Sequence, residues 1–510
     1  MARSTFPLIA PVLALALLVL TLGPVAVLLA QPGAVSAAPD WAALRFTVLQ
    51  ASLSALASVT LAIPVARALA RRRFAGRGAV IATLGAPFLL PVIVAVLGLL
   101  AVFGRAGWVN RAFESFGLPP VSIYGLHGVV LAHVFLNMPL AVRMILSGWQ
   151  AIPAERFRLA TALGFGPAQT LRHLEMPMLR AVLPGAALVI FTVCLSSFAI
   201  ALTLGGGPGA TTVELAIYQA LRFQFDLPAA ARLALVQCAL CVLAVLAASR
   251  LTLPLAFGAG LDRSGGPPAP GGWHRIADAM AIGLSLAFIV TPLAAIIARG
   301  LPGLASLPPE VWSAAARSLV VALPATFLTV TLALTLALAH ARGARLPAIA
   351  ATLPLAVSSL VLGTGLFLAL RPVVPPSTLA LPVTVAVNAL LALPFAFRIL
   401  APEAMTLHND YHRLAAALNL SPAARLRWVI LPRLARPAGF AAGLSVAFAM
   451  GDLGVIALFA SDGASTLPLA IHRLMGAYRM DDAAAAALLL VSLSFALFWA
   501  FDSAGRHAAA

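Results

Sequence analysis

Twelve apolar stretches, each long enough to cross a bilayer, follow one another along 510 residues, and that succession leaves few folds open. A backbone in hydrocarbon has no water to bond its N–H and C=O groups, so a spanning segment is a helix or part of a closed barrel. The runs are read as membrane-spanning helices. With 62% hydrophobic and 10% charged residues, the chain is too apolar for a soluble domain. The predicted spans are 8–30, 46–70, 79–103, 124–147, 182–204 and 229–251, then 276–298, 314–340, 346–370, 379–400, 440–460 and 483–501. The first is longer than a cleaved signal core and reads as an uncleaved span with its N-terminus inside.

One polar segment occurs twice. RLATALGFGPAQTLRHLEMPMLR from Arg158 and RLAAALNLSPAARLRWVILPRLA from Arg413 are identical at 11 of 23 positions without a gap. Each copy is basic and amphipathic, lies between the fourth and fifth apolar runs of its half, and reads as a loop on one membrane face. The chain is therefore a duplication. Two six-helix halves are expected at 1–257 and 274–510, with the Gly/Pro-rich stretch at 258–273 as linker.

Each copy encodes helix, tight turn, helix. Phe157, Ala160 and Leu163 recur at helical spacing, and Gly164 supplies the left-handed residue that ends a helix. Gly166 and Pro167 follow as N-cap and first residue of a second helix. The second copy uses Asn419, then Ser421 and Pro422.

The net charge of +17 is carried by arginine without any lysine, and its distribution argues against nucleic acid. Counting alternate connections as internal, 23 arginines fall inside, Arg71 to Arg73 among them, and 10 outside. Cys194, Cys238 and Cys241 all lie in apolar runs and read as buried small hydrophobes. Gly205, Gly206 and Gly207 lack the lysine and preceding strand of a phosphate loop. His127 and His133 stand about 240° apart on a helix and share no metal-binding face, and no metal site is expected.

Few polar groups within the spans could carry chemistry. Asp452 lies in the outer half of its span and aligns with Ser197; it is a candidate for a pathway, or for a hydrogen bond to backbone beside Gly451 and Gly454. His133 and Asn388 also align, as candidates for the pathway or for hydrogen bonds between helices. An ion-coupled carrier usually needs several intramembrane acids or bases, and an integral membrane enzyme needs paired carboxylates or metal spacings; neither pattern is present.

The repeated segment resembles the cytoplasmic loop on membrane subunits of ATP-binding-cassette importers, written E-A-A, three residues, G, nine residues, I, any residue, L-P. The matching positions are Arg158, Ala160, Gly164, Pro167, Leu174 and Pro177, then Arg413, Ala415, Asn419, Pro422, Val429 and Pro432. Arginine replaces the glutamate in both copies, so the resemblance implies the docking shape but not a salt bridge from that residue. With GDLGVIALF from Gly451 and the glycine-rich segment at 204–221, the whole chain resembles the double-length permease of bacterial thiamine importers; iron(III) permeases share the layout and stay an alternative.

That resemblance implies an all-α type I importer permease of the inner membrane, with both termini cytoplasmic and two permease domains fused. It implies a periplasmic binding protein that delivers thiamine or its phosphates, and a homodimeric ATPase that holds ATP and magnesium, so that no cofactor is expected on this chain. Gly205, Gly206, Gly207, Glu214 and Tyr218 are expected on the external loop facing the binding protein.

Overall fold

The computed structural model describes residues 6–33, 40–250, 271–460 and 462–509. The linker expected at 258–273 lies mostly outside them, as does the end of the sixth predicted span. The first half contains α1 (Phe6–Ala30), α2 (Trp41–Arg71), α3 (Arg77–Gly85), α4 (Val92–Phe103), α5 (Trp108–Ser115), α6 (Leu126–Gln150), α7 (Ala154–Ala162), α8 (Pro167–Thr170), α9 (Met176–Leu195), α10 (Phe198–Leu204), α11 (Val213–Gln219) and α12 (Leu227–Ser249). The second contains α13 (Trp273–Gly300), α14 (Pro309–Ala341), α15 (Leu346–Thr352), α16 (Ser359–Leu370), α17 (Pro376–Ala417), α18 (Pro422–Arg425), α19 (Leu431–Gly451), α20 (Gly454–Phe459), α21 (Leu467–Gly476) and α22 (Met480–Ala509). No strand occurs among the described residues. Among the described residues eleven helices are long and apolar enough to cross a membrane, or twelve if one bent pair counts as a span. The chain is an all-α, multi-pass membrane protein.

Three expectations about the spans need correction. The stretch 346–370 is not one straight helix: it bends by 96° between Ala356 and Ser359. Its counterpart at 79–103 is broken at the same place by a 3-10 turn, Ala86–Leu89. Prolines 87, 91 and 354 remove backbone donors there, and hydropathy alone cannot register their effect. The stretches 182–204 and 440–460 break at Ser196–Ser197 and at Asp452, so each ends in a separate short helix, α10 or α20. The tenth span does not stop at residue 400: α17 runs unbroken for 42 residues to Ala417.

The halves are interlocked through their first helices. α1 packs on α15 and α16 of the second half, while α13 packs on α2 and α4 of the first. The closest approaches are equivalent. A Cβ built on Gly98 of α4 would stand 2.8 Å from the carbonyl oxygen of Pro292 in α13, and one on Gly365 of α16 would stand 2.5 Å from that of Pro24 in α1. Between membrane helices, small residues of this kind let backbones meet.

An ion pair closes the same exchange. Arg71 Nη2 and Arg72 Nε donate to the two carboxylate oxygens of Asp278 on α13, each at 2.7 Å. All three side chains are largely withdrawn from solvent.

If the interlock holds the halves together, valine at Gly98 or Gly365 must push α13 or α1 away, at a cost of about 1–3 kcal/mol for overpacking. Both variants should lower the thermal unfolding midpoint of the detergent-solubilised protein, with the alanine variants following by smaller steps. Midpoints equal to the parent's in both valine variants would mean that the helices do not meet there.

Candidate functional site

The two copies of the repeated segment close their turns with the same pair of hydrogen bonds. Gly164 has φ 69° and Asn419 φ 48°, both left-handed. In the first copy the Phe165 N–H donates to the Ala160 carbonyl at 2.9 Å and the Gly164 N–H to Thr161 at 3.0 Å. In the second, Leu420 donates to Ala415 and Asn419 to Ala416, both at 3.0 Å. This is a Schellman closure. Ala160 and Ala415 supply the carbonyls that shut each turn, and both are buried.

The helices that follow are capped differently. Ser421 Oγ accepts the Ala424 N–H at 3.2 Å, whereas Gly166 has no side chain, and its own N–H is taken by Gln169 Oε1 at 2.9 Å. Each helix then passes through one π-helical turn, Leu171–Glu175 or Leu426–Ile430. Pro177 and Pro432 explain the turn: a proline ring collides with the carbonyl four residues back, and the ladder widens just before it. The second helix of each copy is therefore not a separate short element, as expected, but the start of a continuous stretch, Pro167–Leu195 in the first half. Leu174 and Val429 lie half-buried in the two π turns.

Each loop presents an apolar pair outward. Leu159 and Leu163 are 60% and 63% exposed, and their counterparts Leu414 and Leu418 are 52% and 62% exposed. Arg158 and Arg413 are exposed beside them. The anchoring differs between copies. Glu175 is buried and its Oε2 pairs with Arg67 Nε at 2.7 Å, which sets the first loop on the arginine-rich face with Arg71. Buried Ile430 takes the equivalent place, and there the Arg433 guanidinium lies 4.7 Å from the Tyr411 ring centre.

A second cluster surrounds the broken spans. Ser197 sits in the gap after α9, and Asp452 in the gap after α19. Carbonyls near the broken helix ends are met by side-chain amides: Gln50 Nε2 donates to Cys194 at 3.0 Å, Gln237 Nε2 to Leu195 at 2.8 Å, and Asn388 Nδ2 to Ala449 at 3.4 Å. His133 Nδ1 bonds Ser54 Oγ at 3.0 Å. Asn388 and His133 thus make interhelical hydrogen bonds. Asp452 Oδ1 accepts the Gly454 N–H at 3.2 Å, while its buried Oδ2 has no partner among the described residues. Pro91, at the start of α4, abuts Gly451, so the first half reaches the second break.

The glycine-rich segment, expected on the external loop facing the binding protein, is only partly exposed. Gly206 and Gly207 are exposed, but Gly205 is buried and Glu214 is wholly enclosed. Tyr218 is half-buried between Phe198 and Phe223, with ring centres 5.2 and 5.6 Å away. The chain folds back here because α11 buries its apolar residues, and Thr47 Oγ1 of α2 takes the Val213 N–H at 2.9 Å. In the second half Ser318 Oγ takes the Leu467 N–H at 2.8 Å. Sequence reasoning passed over Gln50 and Gln237, although an amide within an apolar span was itself a signal.

No family model matches the chain. Thiamine transport system permease proteins of Brucella abortus (strain 2308), Escherichia coli (strain K12) and Salmonella typhimurium are 40, 40 and 38% identical to it, over 478, 476 and 483 residues. These alignments cover 91, 90 and 92% of this chain and 88, 88 and 90% of the relatives, in the same order. Similarity of this extent, on a multi-pass helical protein with a twice-repeated loop, assigns the chain to a family of transport subunits and not of enzymes: it belongs to the thiamine transport system permeases.

Proposed function

We propose that this chain is the membrane-spanning subunit of an ATP-driven importer of the bacterial inner membrane, and that it translocates thiamine or thiamine phosphates. A periplasmic binding protein delivers the substrate, and a separate cytoplasmic ATPase dimer holds ATP and magnesium. The two units, 1–257 and 274–510, act as fused permease domains, with both termini in the cytoplasm. The observation that carries this reading is the pair of equivalent loops. Two identical turns, each presenting two exposed leucines, suit a partner that offers the same groove twice, as a homodimer does. The names of the relatives favour thiamine over iron(III) as the cargo.

The loops couple because they continue into the spans. A push on α8 or α18 travels through the π turn into α9 or α19, at whose far ends lie Ser197 and Asp452. The reading is tested by reconstituting the chain with its ATPase in vesicles and adding thiamine-loaded binding protein: ATP-dependent thiamine uptake is expected, and uptake driven by a proton gradient without ATP would refute it.

A β-branched residue in a left-handed turn costs about 1–2 kcal/mol, and valine more. Gly164→Val and Asn419→Val should each weaken ATPase copurification and abolish stimulated hydrolysis while membrane insertion stays normal; Asn419→Gly should be nearly silent. Full coupling in both valine variants would remove the docking role from these turns.

Thiamine carries a permanent positive charge, and Asp452 has a carboxylate oxygen to spare. Asp452→Asn keeps the side chain's shape and its acceptor for the Gly454 N–H. This variant should slow uptake more than it lowers protein yield or ATPase stimulation, and normal uptake kinetics would exclude Asp452 from the pathway.

A further inference from the structure

Around the break that ends α9, hydrogen-bond acceptors outnumber donors. Gln50 and Gln237 commit their Nε2 groups to the Cys194 and Leu195 carbonyls, which leaves both Oε1 atoms buried without a partner among the described residues. Glu214 is 0% exposed. Its Oε1 faces Gln237 Nε2 at a long 3.5 Å, and its Oε2 has no hydrogen-bond partner among the described residues. Buried oxygens of this kind are rare in folded proteins, because each gives up its hydration for nothing. Here three lie on neighbouring groups, one of them an acid.

Glu214 also faces across the boundary between the halves. Its side chain meets the Ser358 hydroxyl at the start of α16. The next residue, Ser359, places its Oγ 2.6 Å from the point a Cβ on Gly454 would occupy, and Asp452 Oδ1 lies 3.6 Å from that point. One acid from each half therefore lies near the start of α16, Glu214 beside Ser358 and Asp452 across Gly454 from Ser359. Among the described residues each acid keeps one buried oxygen without a hydrogen-bond partner, Oε2 of Glu214 and Oδ2 of Asp452.

A capping role does not account for Glu214. The start of α16 is already capped by Ser358 Oγ, which accepts the Val361 N–H at 3.3 Å, and no backbone N–H donates to Glu214 among the described residues. A group that brings positive charge and N–H donors would satisfy the unpaired oxygens. Position fits as well: Gln50 lies roughly 14 Å along α2 from Trp41 and roughly 32 Å from Arg71 at about 1.5 Å per residue, so the cluster sits well away from the arginine-rich face.

We propose that Glu214, with the free oxygens of Gln50 and Gln237, forms a transient binding site for an organic cation bearing N–H donors, and that it works with Asp452 as the second acid of the pathway. This rests on the functional reading above, whose substrate combines a thiazolium charge with an aminopyrimidine. Glu214 is enclosed, so the cation enters only when the hairpin of α10 and α11 moves. The site then holds the substrate between its release by the binding protein and its exit past the second break.

The test uses the complete complex in vesicles, with labelled thiamine on the binding protein, and reads uptake and ATP hydrolysis together. Glu214→Gln should slow uptake by about tenfold, as expected for losing one charged contact, while hydrolysis stimulated by the loaded binding protein persists. Glu214→Asp should recover part of the rate. If the parent complex takes up no thiamine, the functional reading itself fails. If the parent transports and Glu214→Gln matches it, the site is refuted. Joint loss of assembly, hydrolysis and uptake in Glu214→Gln would identify a structural acid and refute it equally.

Discussion

Inside an apolar layer, every peptide group that leaves the helical ladder must find a partner in a side chain, and this protein is built around meeting that demand at two breaks. The ends of α9 and α19 are held by amides from neighbouring helices, Gln50, Gln237 and Asn388. The starts of α11 and α21 are held by hydroxyls, Thr47 and Ser318. Once those groups are in place, the chain can turn back within the layer without exposing bare backbone. The irregular segments are then free to sit where the two halves meet.

The same economy governs how the halves stay together. Apolar surface gives little drive for association in lipid, so contact depends on close backbone approach and on polar groups with no better partner. Gly98 against Pro292 and Gly365 against Pro24 supply the first, and Asp278 between Arg71 and Arg72 supplies the second. Breaking such a withdrawn ion pair from one side leaves uncompensated charge, so it fixes a register as much as it adds stability. Arginines that mark the orientation of a span thus also clamp the opposite half to it.

Much of this was legible from residues alone because the signals were local. The left-handed turn at Gly164 was readable from a glycine just after the helically spaced Phe157, Ala160 and Leu163, and the one at Asn419 from its alignment. The number and class of the spans followed from hydropathy. The breaks at Ser197 and Asp452 were not legible, since the residues after them are as apolar as those before. Glu214 was expected on an external loop from the family resemblance alone, and only the packing of α11 against α2, α12 and α16 shows that the chain turns inward there. The continuation of each loop helix into its span was not read from the sequence, where Pro177 and Pro432 stand between the two. In the folded chain they produce a single widened turn.

The two halves differ at one joint. In the first, Pro153 separates α6 from α7; at the corresponding position His408 continues α17 as one rod of 42 residues. A duplicated gene can let one copy stiffen while the other keeps a hinge, because both are always made in equal number and always in the same pairing. In the first half the loop can therefore reorient about the joint at Pro153, whereas in the second the loop is borne on the end of the same helix that crosses the layer.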